Sequence, residues 1–150
     1  MVKSPKFEFL EDRKFFESLF EDIGPIESWL HLLDFSDHDK KQINFNKERN
    51  QVFLRLKAQY RSVCHLAYPN ICTGRSEAID HMIPLATNIL NKKRGIKAKS
   101  GKKVPTQSIG ANHLHNFALA CNKCNGHKKH RFLDPSHLAR VIKITRGNKL

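Results

Sequence analysis

A chain of 150 residues can form one core, or a small catalytic module with an extension, but it is too short for two full-sized domains. Its formal net charge of +13 and its pI near 9.9 exceed what solubility requires, and they indicate a polyanionic partner for which nucleic acid is the first candidate. No apolar run approaches the roughly 18 residues that span a bilayer, and no apolar signal core follows residues 1–6, so we expect a cytoplasmic, intracellular protein with no membrane partner.

Residues 1–63 carry apolar residues at spacings of three and four, which predicts a helical N-terminal extension. Gly24 and Pro25 separate the first helix from the second, and Asn46 is expected to cap the third. The apolar faces comprise Phe7, Leu10, Phe15, Phe16, Leu19 and Phe20, then Trp29, Leu30, Leu32 and Leu33, then Val52, Phe53, Leu56, Tyr60 and Val63. Most acids lie in the first helix, so we expect the extension to contact the rest of the chain, a second copy in a homodimer or another protein, rather than DNA.

A knuckle, two strands and a helix are predicted after residue 63. Proline and asparagine turn the cysteine-containing knuckle, and both strands are short and apolar. The expected spans are 64–74 for the knuckle, 77–85 for the first strand with Asp80 and His81, 116–121 for the second strand and 122–131 for the helix. The fold class expected from this order is α+β.

Basic charge is concentrated in the second half of the chain. Residues 1–90 contain 12 Lys and Arg against 13 Asp and Glu, whereas residues 91–150 contain 15 against one. Residues 91–110 combine lysine with glycine and proline and have little apolar surface to bury, so they predict a mobile basic loop. A basic helix and tail are expected over residues 136–150. The surface that meets a polyanion therefore belongs to the second half.

One motif in that half carries most of the information. Asp80 and His81 are followed by Pro84, by Asn116 at the start of the second strand, and by a Cys-x-x-Cys pair that leads into Asn125 and a lysine. In this order they resemble the HNH endonuclease domain of the His-Me finger superfamily, whose pattern is Asp-His-x-x-Pro, Asn-Leu and Cys-x-x-Cys-(His or Asn)-x-x-Lys. The resemblance covers a little under half of the chain and describes an H-N-N variant, because an asparagine stands where the last histidine of the pattern falls.

The resemblance implies a ββα-metal core over residues 64–135 and a role for each motif residue. His81, a residue type whose ordinary pKa lies near neutrality, would be the general base that takes a proton from water. Asp80 and Asn125 would bind the catalytic divalent ion, Mg²⁺ or Mn²⁺, through oxygen atoms. Asn116 would hold the loop that bears His81 through hydrogen bonds to the backbone.

The cysteines suit a second, structural metal. They form one Cys-x₂-Cys pair and one wider pair: Cys121 with Cys124, and Cys64 with Cys72. Four thiolates can close a tetrahedral Zn²⁺ site that ties the knuckle to the helix. One alternative is that the wider pair consists of buried thiols and binds no metal, and another is that His65 or His127 replaces a cysteine.

Basic residues around the motif are expected to contact the phosphates of DNA. They are Lys128, Lys129 and Arg131 in the predicted helix, Lys92, Lys93, Arg94, Lys102 and Lys103 in the basic loop, and Arg140 and Lys143 in the last helix. The remaining histidines of this half are interpreted as facing DNA or solvent, and the one beside Asn116 is the candidate exception.

These features together predict an HNH-type endonuclease that hydrolyses double-stranded DNA with one divalent metal and a histidine base. A role in restriction, phage defence or a mobile element would fit. Two alternatives stay open: a zinc-stabilised nucleic-acid-binding module that has lost catalysis, and an RNA nuclease.

Overall fold

The computed structural model describes residues 5–96 and 103–148, in which α-helices are mixed with two small antiparallel sheets. The helices are α1 (Leu10–Leu19), α2 (His38–Tyr60), α3 (Ile89–Lys93), α4 (Asn122–Lys128) and α5 (Pro135–Thr145), the strands are β1 (Ala78–His81), β2 (Ala86–Thr87), β3 (Gln107–Ser108) and β4 (Phe117–Ala120), and 3-10 turns lie at Ile26–Ser28, Leu30–Leu32 and Leu114–Asn116. The expected α+β class is confirmed. None of the described helices has both the length and the apolar character that crossing a membrane requires.

The second predicted helix is wrong, because residues 26–32 form two single 3-10 turns instead. Pro25 enters this segment in an extended conformation, and Trp29 separates the two turns with a φ of −124° and a ψ of 8°. Leu32 and Leu33 are nevertheless buried, as is the Trp29 ring. An apolar cluster can therefore be buried here without a continuous helix, which is why the spacing of apolar residues misled the prediction.

The third helix begins earlier than predicted, at His38. The carboxylate of Asp37 caps it by accepting a hydrogen bond of 3.2 Å from the backbone N–H of Lys40. Asn46 lies in the helix interior, where its side-chain oxygen accepts a hydrogen bond from Gln42, so the cap expected at that position is wrong. The helix ends at Tyr60, before the exposed Val63 that was expected on its inner face.

Strands β1 and β4 pair antiparallel, with Asp80 opposite Ala118 and His81 opposite Phe117. Helix α4 follows β4 directly, and the Cys121 sulfur caps it by accepting the N–H of Cys124. The predicted order of two strands and a helix is thus present. The helix stops at residue 128 instead of 131, because the next residue adopts a φ of 52°.

Both ends of the predicted mobile loop are ordered, so that prediction is wrong for residues 91–96 and 105–110. Helix α3 includes the first residues, and the buried Asn91 donates a hydrogen bond of 2.7 Å to the carbonyl of Pro105. Strand β3 pairs with β2 at the other end. Residues 97–102, which include Lys102, lie outside the described residues.

The N-terminal extension packs against the rest of the chain. One cluster of buried side chains combines Phe16, Phe20 and Trp29 with Leu138 and Val141 of α5. A second cluster joins the inner face of α2 to the β1–β4 sheet through Phe45, Val52, Leu56, Ile79, Leu114, Phe117 and Leu119. Helix α2 therefore packs beside β1, the strand that carries Asp80 and His81.

Candidate functional site

Four cysteines converge where the knuckle meets α4. The sulfur atoms of Cys64, Cys72, Cys121 and Cys124 all lie within 4.8 Å of one another. Backbone N–H groups point at three of these sulfurs, as in the contacts from residue 121 to Cys64, from Gly74 to Cys72 and from residue 124 to Cys121, at 3.2 to 3.3 Å. Such donors stabilise thiolate charge, and a four-thiolate set can hold a metal such as zinc in a closed site.

Neither histidine considered as a substitute ligand belongs to this cysteine group. The Nδ1 atom of His65 accepts a hydrogen bond of 3.0 Å from the N–H of Leu119, and its ring packs edge-on against Tyr60. His127 is exposed and packs against Tyr68. Within the described part of the chain, the atoms of this group that could bind a metal are therefore the four cysteine sulfurs.

Asp80, His81 and Asn125 line one cleft of about 250 Å³, between β1, α2 and α4. The rim includes His38 and Gln42 from α2, Pro84 and its neighbours after β1, and Lys129 and His130 after α4. The strand pairing places the first two residues, and α4 places the third across from them. The three motif residues expected to act together are therefore brought together.

Hydrogen bonding fixes the orientation and tautomer of His81. Its Nε2 atom lies 2.9 Å from the side-chain oxygen of Asn112, whose amide nitrogen donates to the carbonyl of Lys41 at 2.8 Å. Because the amide group uses its N–H on Lys41, its oxygen must accept, so Nε2 of the histidine carries the proton. The Nδ1 atom therefore keeps the lone pair that a base needs.

The surroundings of His81 keep the ring neutral. Phe45 and Phe117 pack edge-on against it, with ring centroids 4.5 and 5.0 Å away. Burial is the main cause that lowers the pKa of His81 to about 4, and the charges of Lys128 and Lys41 act in the same direction. A neutral imidazole at pH 7 can accept a proton.

Asn116 is fully buried and fastens the loop that follows His81. Its side-chain oxygen accepts the N–H of Ile83 at 2.8 Å, and its amide nitrogen donates to the carbonyls of Ile83 and Ala111 at 2.9 and 3.0 Å. Its backbone carbonyl also accepts the N–H of Met82. These are backbone hydrogen bonds of the kind that the sequence predicts for this residue.

Asp80 and Lys128 form a buried ion pair. The side chains are 4 % and 0 % exposed, and the lysine Nζ lies 3.3 Å from Oδ2 of the carboxylate and 3.0 Å from the His81 carbonyl that accepts its hydrogen bond. Burial raises the pKa of Asp80 to about 6, although the lysine opposes that shift. The predicted contact of Lys128 with a phosphate is wrong, since an ammonium with no exposed surface does not meet a ligand from solvent.

The carboxylate of Asp80 retains coordinating capacity. Its Oδ2 atom is buried 3.3 Å from the Lys128 ammonium and meets no other donor among the described residues. A carboxylate oxygen and the amide oxygen of Asn125 on one cleft form a hard donor set. Such a set fits Mg²⁺ or Mn²⁺.

The predicted phosphate-binding residues fall into different surroundings. Lys129 lines the cleft, whereas Lys93 and Arg131 line a separate apolar cavity of about 980 Å³ between α1, α3 and the start of α5. Arg94 is paired with Asp12 and its side chain is 10 % exposed, so the position of its guanidinium gives its predicted role in nucleic-acid binding no support. The other described members of the set are exposed: Lys92, Lys103, Arg140 and Lys143.

Two residues that hold the site were missed by sequence reasoning. Asn112 orients His81, and Lys41 of α2 inserts its ammonium between the carbonyls of Asp34, Leu85 and Gly110 at 2.6, 3.2 and 2.6 Å. A lysine in a polar helix and an asparagine four residues before Asn116 carry no distinguishing pattern. Only the folded arrangement identifies them.

No protein-family model, no curated protein and no solved structure matches this chain. The chemistry of the cleft is therefore argued from its own residues and distances.

Proposed function

We propose that this chain is an HNH-type DNA endonuclease with a ββα-metal core, which hydrolyses phosphodiester bonds with one Mg²⁺ or Mn²⁺ ion and a histidine base. The observation that carries the proposal is the shared cleft, which is lined by Asp80 and His81 from β1 and by Asn125 from α4. Asn125 lies more than forty residues after the Asp80–His81 pair in the sequence, and a hydrolytic site needs the three residues together.

His81 is the base in this proposal. Its free Nδ1 atom takes a proton from the attacking water, and the hydrogen bond from Nε2 to Asn112 holds the ring while it becomes charged. An imidazolium next to an amide oxygen is better solvated than one among aromatic rings alone. Asn116 keeps the following loop from shifting as the substrate enters.

Asp80 and Asn125 would hold the catalytic ion. When bound, the ion would neutralise the charge that develops on the scissile phosphate and on the leaving oxygen. Lys128 keeps Asp80 in its ionised form before the ion arrives, since its ammonium favours the carboxylate over the acid. Lys128 is therefore a positioning residue rather than a contact for DNA.

The four-cysteine group would be the structural partner of this site. Zinc held there would tie the knuckle to the first turn of α4, and α4 carries Asn125. Exposed cations on the rim, such as Lys129, would hold the DNA backbone without reading its sequence. Restriction, phage defence and mobile-element activity are biological settings that suit such an enzyme.

One observation favours a second candidate, a nucleic-acid-binding module without catalysis. The Lys128 ammonium lies 3.3 Å from the Asp80 carboxylate and neutralises its charge. A divalent ion must then share the carboxylate with an ammonium, which weakens its binding. An RNA nuclease is the third candidate, since the same site chemistry acts on either backbone.

Cleavage of supercoiled plasmid in Mg²⁺ tests the proposal. The wild-type chain should nick or linearise the plasmid, and His81→Ala should abolish cleavage while retarding DNA in a gel as strongly as wild type. Loss of activity in chelator should be reversed by Mg²⁺ or Mn²⁺ but not by Zn²⁺ alone. DNA binding without cleavage by the wild type in any of these metals would favour the second candidate, and cleavage of RNA alone would favour the third.

A further inference from the structure

Three histidines from two separate segments meet at the surface. His31 lies in the 3-10 turn Leu30–Leu32, and His113 and His115 lie at the start of the turn before β4. Each offers a ring nitrogen within 4.8 Å of the other two, and the His31 Nε2 and His115 Nδ1 atoms are 3.1 Å apart. The ring centroids are separated by 4.7 to 5.1 Å.

Backbone contacts beside the histidines hold these two segments together. The N–H of Ala111 donates to the carbonyl of Leu32 at 2.9 Å, and Leu33 forms a β-bridge with Gly110. The largely buried Trp29 stacks on the His31 ring, with centroids 5.9 Å apart and planes inclined by 29°. The three rings are therefore neighbours because hydrogen bonds join the backbone segments that carry them.

The donor set indicates which ligand would bind. Within the described residues, the group contains three imidazoles and no carboxylate or thiol. Imidazole nitrogen suits zinc, nickel and copper, whereas magnesium prefers oxygen. In a tetrahedral zinc site with bonds of about 2.0–2.1 Å, neighbouring nitrogens lie about 3.3 Å apart. The 3.1 Å separation of the His31 and His115 nitrogens is already close to that spacing.

We propose that His31, His113 and His115 form a second metal site, which binds one divalent ion of the zinc, nickel or copper class and leaves a further position open to solvent. The ion replaces the hydrogen bond between His31 and His115. His113 Nδ1 also accepts the N–H of His115 at 3.1 Å, so His113 gives up that contact if it binds through Nδ1.

The bound ion would connect the N-terminal segment to the loop that precedes β4. That loop contains Asn112 and ends in Asn116, the two residues that hold His81 and its loop. Because the three imidazoles are together only in the folded chain, the ion would also raise the unfolding temperature. This site is distinct from the four-cysteine group, and its existence does not depend on nuclease activity.

Cobalt distinguishes the two metal sites. The chain preloaded with one equivalent of Zn²⁺ should bind one equivalent of Co²⁺ with visible bands typical of nitrogen ligands and without the intense charge-transfer band of a cobalt thiolate. His31→Ala and His115→Ala should each weaken this binding by about tenfold or more. His127→Ala removes an exposed histidine outside the group and should leave the affinity unchanged.

Thermal unfolding and zinc content show whether a variant is still folded, so a loss of Co²⁺ binding can be distinguished from a folding defect. His31→Gln, which retains a polar side chain of similar size, should keep its zinc and unfold cooperatively, yet lose the rise in unfolding temperature that Co²⁺ gives the wild type. Absence of Co²⁺ binding to the folded wild type would overturn the proposal, as would a thiolate band from the bound cobalt. Equal affinity in the wild type, His31→Ala and His115→Ala would overturn it as well.

Discussion

The His81 imidazole is held by a chain of contacts that leads away from the cleft to helix α2. Asn112 accepts its Nε2–H and donates to the backbone carbonyl of Lys41, so one amide group determines which ring nitrogen is free. The motif residues could be proposed as site residues from sequence because their order is distinctive. Asn112 could not, because its role depends on a contact between residues 81 and 112 that only the folded loop creates.

Asn112→Ala should therefore impair His81 without changing the fold. We expect plasmid cleavage to slow on the order of 10- to 100-fold, as is common when a residue that orients a functional histidine is lost. The ¹⁵N shifts of the His81 ring should change from a single Nε2–H tautomer to a mixture. Asn112→Asp loses the donor to the Lys41 carbonyl but keeps an acceptor for Nε2–H, so it should preserve the tautomer, whereas Asn50→Ala, an exposed position on α2, should alter neither reading. An unchanged ring tautomer in Asn112→Ala would contradict the assignment.

Lys41 provides a second prediction for a single side chain. Burial lowers its pKa to about 8, so it stays protonated at pH 7, and its ammonium donates to three backbone carbonyls that join α2 to the segments around β2 and Gly110. Lys41→Met should lower the free energy of unfolding by about 1–3 kcal/mol, because it leaves buried carbonyls without donors. Lys40→Met changes an exposed neighbour and should stay within about 0.5 kcal/mol of wild type in urea denaturation. Equal stability of the two variants would contradict the structural role of Lys41.

At the scale of elements, the sequence located α1, β1, β4, α4 and α5 but misjudged where helix α2 begins. Its true start rests on the Asp37 carboxylate and the Lys40 N–H, and the polar first turns that follow lack the apolar repeat that usually marks a helix. The prediction for residues 26–32 was wrong in the opposite way, because this segment has the apolar spacing of a helix but forms 3-10 turns. Apolar periodicity reports which side chains are buried, and it reports the helix only where the backbone permits one.

The two candidate caps can be compared directly. Asp37→Ala should cost about 1 kcal/mol of unfolding free energy, because the first turn loses the acceptor for an N–H that the helix cannot satisfy. Asn46→Ala lies in the exposed helix interior and should cause no such loss, since alanine is the better helix former. Chemical denaturation of both variants supplies the comparison. A larger loss in Asn46→Ala would favour the helix start predicted from sequence.

At the scale of the whole molecule, side chains of the N-terminal segment are buried together with side chains that surround the cleft. The sequence predicted an extension over residues 1–63 that contacts the rest of the chain, a second copy or another protein, and its boundary was placed where the helical spacing of apolar residues ends. The extension does pack against the rest of the chain: Phe16 and Trp29 lie in the same buried cluster as Val141, and Phe45 contacts the His81 ring. Charge patterns describe the surface, whereas the side chains that join the two segments are apolar and carry no such mark.

A fragment of residues 64–150 should consequently fail to fold even with zinc present. It would expose the apolar faces that Phe16, Phe20, Trp29 and the inner side of α2 cover in the full chain, and the β1–β4 sheet would lose one wall. We expect the fragment to bind a hydrophobic dye and to show no cooperative heat absorption in calorimetry. Phe16→Ala in the full chain should lower the free energy of unfolding by about 3–5 kcal/mol, whereas Leu10→Ala, 63 % exposed on the same helix, should have little effect. A sharp calorimetric transition in the fragment would show that residues 64–150 fold independently and that the extension contributes only at the surface.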